Sequence, residues 1–82
     1  MKKSKAETLR ALGSLIKQHR TAVGISQEEL GLRCSLDRTY ISGLERGVRN
    51  PSLTALVTLA SGLNTTVSKL LENLETEIGR IE

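Results

Sequence analysis

The 82 residues include one tyrosine but neither tryptophan nor phenylalanine. A core must therefore be built from Leu, Ile, Val and Ala, in a single domain small enough to gain from dimerising. Twelve basic and nine acidic residues leave a net charge of +3; the basic groups gather before Ser42, while Glu72, Glu75, Glu77 and Glu82 make the end acidic, as suits a polyanion-facing surface with a separate second face. Cys34 and His19 each stand alone, no apolar run reaches membrane length and no hydrophobic signal region opens the chain, which excludes a disulfide framework, a metal cluster and a membrane span and makes the cytoplasm the expected compartment.

Lys2, Lys3 and Lys5 read as a solvated arm. Ser4 followed by Glu7 is a capping box, which predicts a helix over residues 5–23 with Leu9, Leu12, Ile16 and Val23 on one stripe and Gly24 as its cap. Arg20 falls on that apolar stripe and needs a partner there. Ser26 with Glu29 forms a second box and starts a short helix from Gln27 to about Arg33, with Leu30 inward. Gly31 inside it costs roughly 1 kcal/mol relative to Ala, which implies close approach of a neighbouring helix. Cys34 reads as a small apolar core group and, with Ser35, marks a break.

Asp37 is an N-cap for a third helix, Arg38–Arg46, whose inward positions are Ile41 and Leu44. Gly47 caps it and Pro51 blocks continuation. Ser52 caps a fourth helix with Leu53, Leu56, Val57, Ala60 and Leu63 on one broad face, ending at Asn64. Thr66 caps a fifth, carrying Val67, Leu70, Leu71, Leu74 and Ile78. No strand-like alternation or repeat interrupts this all-α pattern of five helices.

Helical angles turn Arg38, Thr39, Tyr40, Ser42 and Gly43 away from the core. Three consecutive exposed residues at a helix N-terminus form the part of a helix that enters a major groove, with the positive helix end toward phosphates. Arg38 suits guanine O6 and N7; Thr39 offers a hydroxyl and a methyl; Tyr40, the one aromatic, offers a flat apolar edge and a phenol. Gly43 on that face favours close approach by another group. No nucleophile–base pair, metal cluster or phosphate-cradling glycine loop is present, so neither an enzyme nor a cofactor is expected.

The segments Leu12-Gly13, Ile16, Arg20, Gly24, Ser26-Gln27-Glu28-Glu29-Leu30, Ile41-Ser42, Glu45-Arg46-Gly47, Asn50-Pro51-Ser52-Leu53 and Leu70-Leu71 together resemble the lambda-repressor-like, Cro-type helix-turn-helix domain of the XRE family. Within it, LDRTYISGLERGVRN is most similar to the controller proteins of restriction-modification systems, homodimeric regulators of their own and the endonuclease gene. The resemblance implies one helix-turn-helix domain over 1–82, with its core at 12–71, the helix-turn-helix at 27–46 and a dimerisation helix at 67–80. It assigns base contacts to Arg38, Thr39, Tyr40 and Arg49 and phosphate contacts to Gln27, Ser42, Arg46 and Asn50. It makes Arg20 and Glu45 a largely buried ion pair. Ser35 stands where the family usually has a left-handed glycine, a departure costing of order 1 kcal/mol.

Leu74 and Ile78 exceed what one small core needs and are expected at a two-fold interface, as the resemblance also implies. The partners expected are a second copy of the chain and double-stranded DNA with a palindromic operator, with no membrane and no small-molecule effector. The alternative is an antitoxin-type interaction module that autoregulates through its helix-turn-helix and docks a protein on the tail from Glu72 to Glu82.

Overall fold

The computed structural model describes residues 4–81, so Lys2, Lys3 and Glu82 lie outside the described residues. The described chain is all helical: α1 (Lys5–Val23), α2 (Gln27–Cys34), α3 (Arg38–Glu45), α4 (Leu53–Gly62), α5 (Val67–Leu70) and α6 (Leu74–Ile81). Side chains at the expected caps set where most of them begin. Ser4 and Glu7 close a reciprocal capping box on α1, and Gly24 ends that helix in the left-handed conformation at φ 86°. Ser26, Asp37, Ser52 and Thr66 each accept a first-turn backbone N–H of α2 to α5. The second box is only half formed, because the Glu29 carboxylate accepts from Arg33 (3.2 Å) instead of reaching back to Ser26.

The main core joins Leu12 and Ile16 of α1, Leu30 and Cys34 of α2, Ile41 and Leu44 of α3, Leu59 and Ala60 of α4, and Leu63 and Leu70 beyond. The α1 stripe differs from the expected one at mid-helix, where Leu15 is also buried, and at its end, where Val23 reaches solvent. Between α2 and α3 the turn runs through Ser35, left-handed at φ 55°. Gly31 answers to this turn and not to a neighbouring helix, since a Cβ there would sit 2.6 Å from the Leu36 carbonyl oxygen. That close approach lets α3 follow α2 with only Ser35, Leu36 and Asp37 between them.

Two expectations about the second half of the chain need correction. The element expected as a single fifth helix is broken by a turn at residues 71–73, and α6 folds back to pack along α1. Ile78 is therefore 2% exposed within the protomer, and Leu74 is half-buried against the core. Ile78 is thus spent within the protomer, whereas Leu74 keeps part of its surface open. Glu77 shares the inward stripe of α6, where its carboxylate accepts from the Ser14 hydroxyl (2.6 Å) and the Gln18 amide (3.3 Å) of α1. The Ser14 bond, ahead of burial, which opposes it, and of the Arg80 charge, holds this carboxyl below the ordinary glutamate range. Leu56, Leu59 and Ala60 of α4, and Leu63 at its C-cap, turn inward; Leu53 and Val57, one turn apart, remain 70% and 54% exposed.

Candidate nucleic-acid interface

The interface begins with the fixing of α3. Its inward side is held by Ile41 and Leu44 in the core and by Glu45 at its C-terminal end. Arg20 of α1 donates from Nε to Glu45 Oε2 (2.6 Å), from a terminal nitrogen to Oε1 (3.0 Å) and from the other to the Ile25 carbonyl (2.9 Å). Side-chain exposures of 12% and 4% make this a nearly buried, bidentate pair, the geometry in which a guanidinium fork matches a carboxylate. Burial pushes the Glu45 carboxyl up, yet the hydrogen bonds from Arg20 and Gln27 and the Arg20 charge outweigh it and hold the group below its ordinary range. The bond to Glu45 correspondingly raises the Arg20 guanidinium against its own desolvation.

Gln27 joins this network. Its amide donates to Glu45 Oε1 at 3.0 Å from the first residue of α2. The amide nitrogen has two N–H groups; the second bonds no other described residue, so it stays available to an acceptor outside the fold.

The N-terminal end of α3 is open. Arg38 and Thr39 are exposed at its N-terminus. Asp37 accepts from the Thr39 backbone N–H (3.1 Å) and from its hydroxyl (3.0 Å). Those bonds, the backbone one first, hold the Asp37 carboxyl below its ordinary range. They also define what Thr39 presents: with its hydroxyl proton committed, it offers bases an acceptor oxygen and a methyl group. Arg38 has no hydrogen-bonding or ion-pair partner among the described residues, and the same holds for the exposed Arg49 and Asn50. Arg46 donates to Ser42 Oγ (3.3 Å), which leaves the serine proton free.

Tyr40 departs from the expected picture. It packs against the core cluster and is half-buried, so only part of it remains open to solvent. The angle of Tyr40 on α3 puts it at the border of the outward face, between groove and core, and an apolar ring with no other aromatic nearby gains most by covering leucines. Gly43 is covered too, by the side chains of Val48 and Arg49. Arg10 of α1 belongs to the same region although its sequence position gave no hint of it: its backbone abuts Gly47, which places an exposed cation beside the loop that follows α3.

Open donors at the N-terminus of the second of two helices joined by a three-residue turn form the reading geometry of a helix-turn-helix. Residues 16–70 match the helix-turn-helix family model described as "Helix-turn-helix". Control protein C.SmaI of Serratia marcescens is 41% identical over 70 residues, which span 83% of this chain and 83% of that protein. The chain belongs to the helix-turn-helix control-protein family. Among solved structures, the restriction-modification controller C.AhdI from Aeromonas hydrophila aligns with TM-score 0.74 and 42% identity over 76% of this chain and 94% of its own. The controller C.Esp1396I, crystallised as a tetramer on its natural 35-base-pair operator, aligns with TM-score 0.78 and 38% identity over 87% of this chain and 93% of its own. Among the described residues, no helix of this control-family protein is long and apolar enough to cross a membrane.

Proposed function

We propose that this protein is the controller of a restriction-modification system: a cytoplasmic homodimer that binds a palindromic operator, performs no catalysis of its own and reads each half-site with α3. The observation that carries the reading is the division of cations across α3. Each guanidinium nitrogen of Arg20 donates to an internal acceptor, whereas Arg38 and Arg49 have none and face outward. Unspent guanidinium donors on a helix N-terminus and its flanking loop fit guanine edges and phosphates.

In this reading Arg38 and Arg49 contact bases, Thr39 reads as acceptor and methyl, and Tyr40 contributes an edge. Gln27, Ser42, Arg46 and Asn50 bond phosphates. For the two-fold face the support moves from α6 to α4. Leu53 and Val57 form an exposed apolar pair, and a second copy is the occupant that a palindrome-reading helix-turn-helix requires, with the recognition helices about 34 Å apart. The antitoxin alternative gains nothing from α6, since Glu77 and Ile78 of the proposed docking tail are turned onto α1.

Selection of bound duplexes from a random pool tests the function. The expected product is a pair of inverted half-sites one helical turn, or a multiple of it, apart, bound by two copies of the chain in sedimentation. Recovery of no preferred sequence would remove the regulator reading.

A further inference from the structure

The outward face of α3 contains a gap where most helices would carry a side chain. Counting by 100° per residue, Ile41, Leu44 and Glu45 define the inward side, and Thr39, Gly43 and Arg46 fall opposite. Gly43 nevertheless is buried. What buries it is the chain that follows: Gly47, left-handed at φ 79°, turns the backbone so that its own N–H bonds the Leu44 carbonyl (3.1 Å) and the Val48 N–H bonds the Gly43 carbonyl (2.9 Å). This is the crossed pair of bonds of a Schellman closure. It brings the next two side chains back over α3. A Cβ built on Gly43 would lie 2.7 Å from Arg49 Cγ, 3.5 Å from its Nε and 3.6 Å from Val48 Cγ2.

The atom nearest that Cβ is the middle of the arginine stem, not its mobile tip. Any side chain at position 43 must therefore lift Arg49 as a whole from the helix. No hydrogen bond or ion pair among the described residues anchors the Arg49 guanidinium. Thr39 lies one turn before Gly43 on the same face. The stem thus crosses α3 beside a residue that faces the groove.

The geometry points to Gly43 as a positioning residue: its bare backbone is the notch that seats the Arg49 stem, so that Arg49 reads a base pair from the surface of the recognition helix instead of sampling phosphates from a loop. The inference rests on the reading of α3 as the DNA-contacting helix. It makes the reading surface composite, with Arg38 and Thr39 rooted in the helix and Arg49 laid across it from outside.

The test uses the full chain and the operator recovered by selection. Affinity is measured for that operator and for each single-base-pair variant of its half-site, with wild type, Gly43→Ala, Arg49→Ala and the double variant. Arg49→Ala is expected to lose about 5- to 150-fold in discrimination at one base pair, the range of a bidentate arginine contact. Gly43→Ala should lose discrimination at that same base pair, and the double variant should lose no more than Arg49→Ala alone. Thermal unfolding separates this from damage to the fold: alanine is the better helix former, so Gly43→Ala should keep or raise Tm while it blurs reading. Relaxation of the Arg49 Nε–Hε group, measured by NMR without DNA, should show a stem that moves more freely in Gly43→Ala.

Full discrimination retained by Gly43→Ala, losses that multiply in the double variant, or unchanged Arg49 relaxation would each overturn the positioning role while leaving the regulator reading intact. A wild type with no sequence preference would overturn both, and the two failures are told apart by that control.

Discussion

Arg20, reaching from α1 to the C-terminal end of the recognition helix, and Arg38, at its N-terminal end, show two uses of one side chain. Arg20 is almost buried and spends its fork on both Glu45 oxygens and the Ile25 carbonyl. Arg38 is exposed and bonds no described residue. A buried donor without an acceptor is costly, so the fold gives each nitrogen of the first an acceptor; an exposed donor is satisfied by water at little cost and can exchange it for a ligand. The difference separates architecture from reading: one arginine fixes where α3 lies, and the other is free for what α3 meets.

The strongest way to break this contrast is to remove the buried partner. Arg20→Ala leaves the Glu45 carboxylate enclosed with only Gln27 to bond it and should destabilise the protein by about 3–5 kcal/mol, read by denaturant unfolding. Replacing both charges with apolar residues of similar volume should cost far less, because no orphan charge remains. The same pair gives a pH signature. The folded-state pKa of Glu45 lies below the ordinary 4.5, so its contribution is complete above that range and is lost as pH falls through the folded value. Stability should therefore decline with acidification from about 4.5 downward, and Arg20→Ala should flatten that limb. Equal cost for the single and the double replacement would show that the pair does not act as a unit.

Next in size is the open side. Arg38→Ala should lower operator affinity by about 1–3 kcal/mol, relax preference at one base pair and leave unfolding nearly unchanged. Binding to unrelated duplexes should fall only by the share of one phosphate-scale cation. If instead every duplex were weakened alike, Arg38 would be a phosphate contact and the reading head would shift toward Thr39 and Arg49.

Much of this is legible in the sequence itself. Caps are local chemistry, so Ser4, Ser26, Asp37, Ser52 and Thr66 marked helix starts correctly. A charge on the α1 stripe announced the need for a partner, and the family resemblance pointed to Glu45. The end of the chain was less readable because Leu70, Leu71, Leu74 and Ile78 keep helical spacing straight across a turn that contains neither glycine nor proline. A signal was present in Asn73, whose carbonyl accepts the Glu77 N–H (2.8 Å) as a new helix begins with Glu75 and Glu77 in its first turn. The seat of Arg49 on Gly43 was beyond local reading. It depends on the path the backbone takes after Gly47, and spacing along one helix carries no information about a chain that returns from outside it.

Gln27 belongs to both sides and should give the smallest and most diagnostic effect. One amide N–H is bound to Glu45, and the second is left for an acceptor beyond the fold. Gln27→Ala should therefore cost about 1 kcal/mol twice over: once in stability, by removing a hydrogen bond to a buried carboxylate, and once in DNA affinity, by removing a phosphate donor. The affinity loss should be equal for operator and unrelated duplex, since phosphates carry no sequence information. Gln27→Glu sharpens the point, because it puts a second carboxylate beside Glu45 and a negative charge toward the backbone of the duplex. It should weaken both properties more than alanine does. An alanine variant that lost stability alone would place Gln27 wholly with Arg20 and Glu45, and the boundary between architecture and reading would then run outside α2.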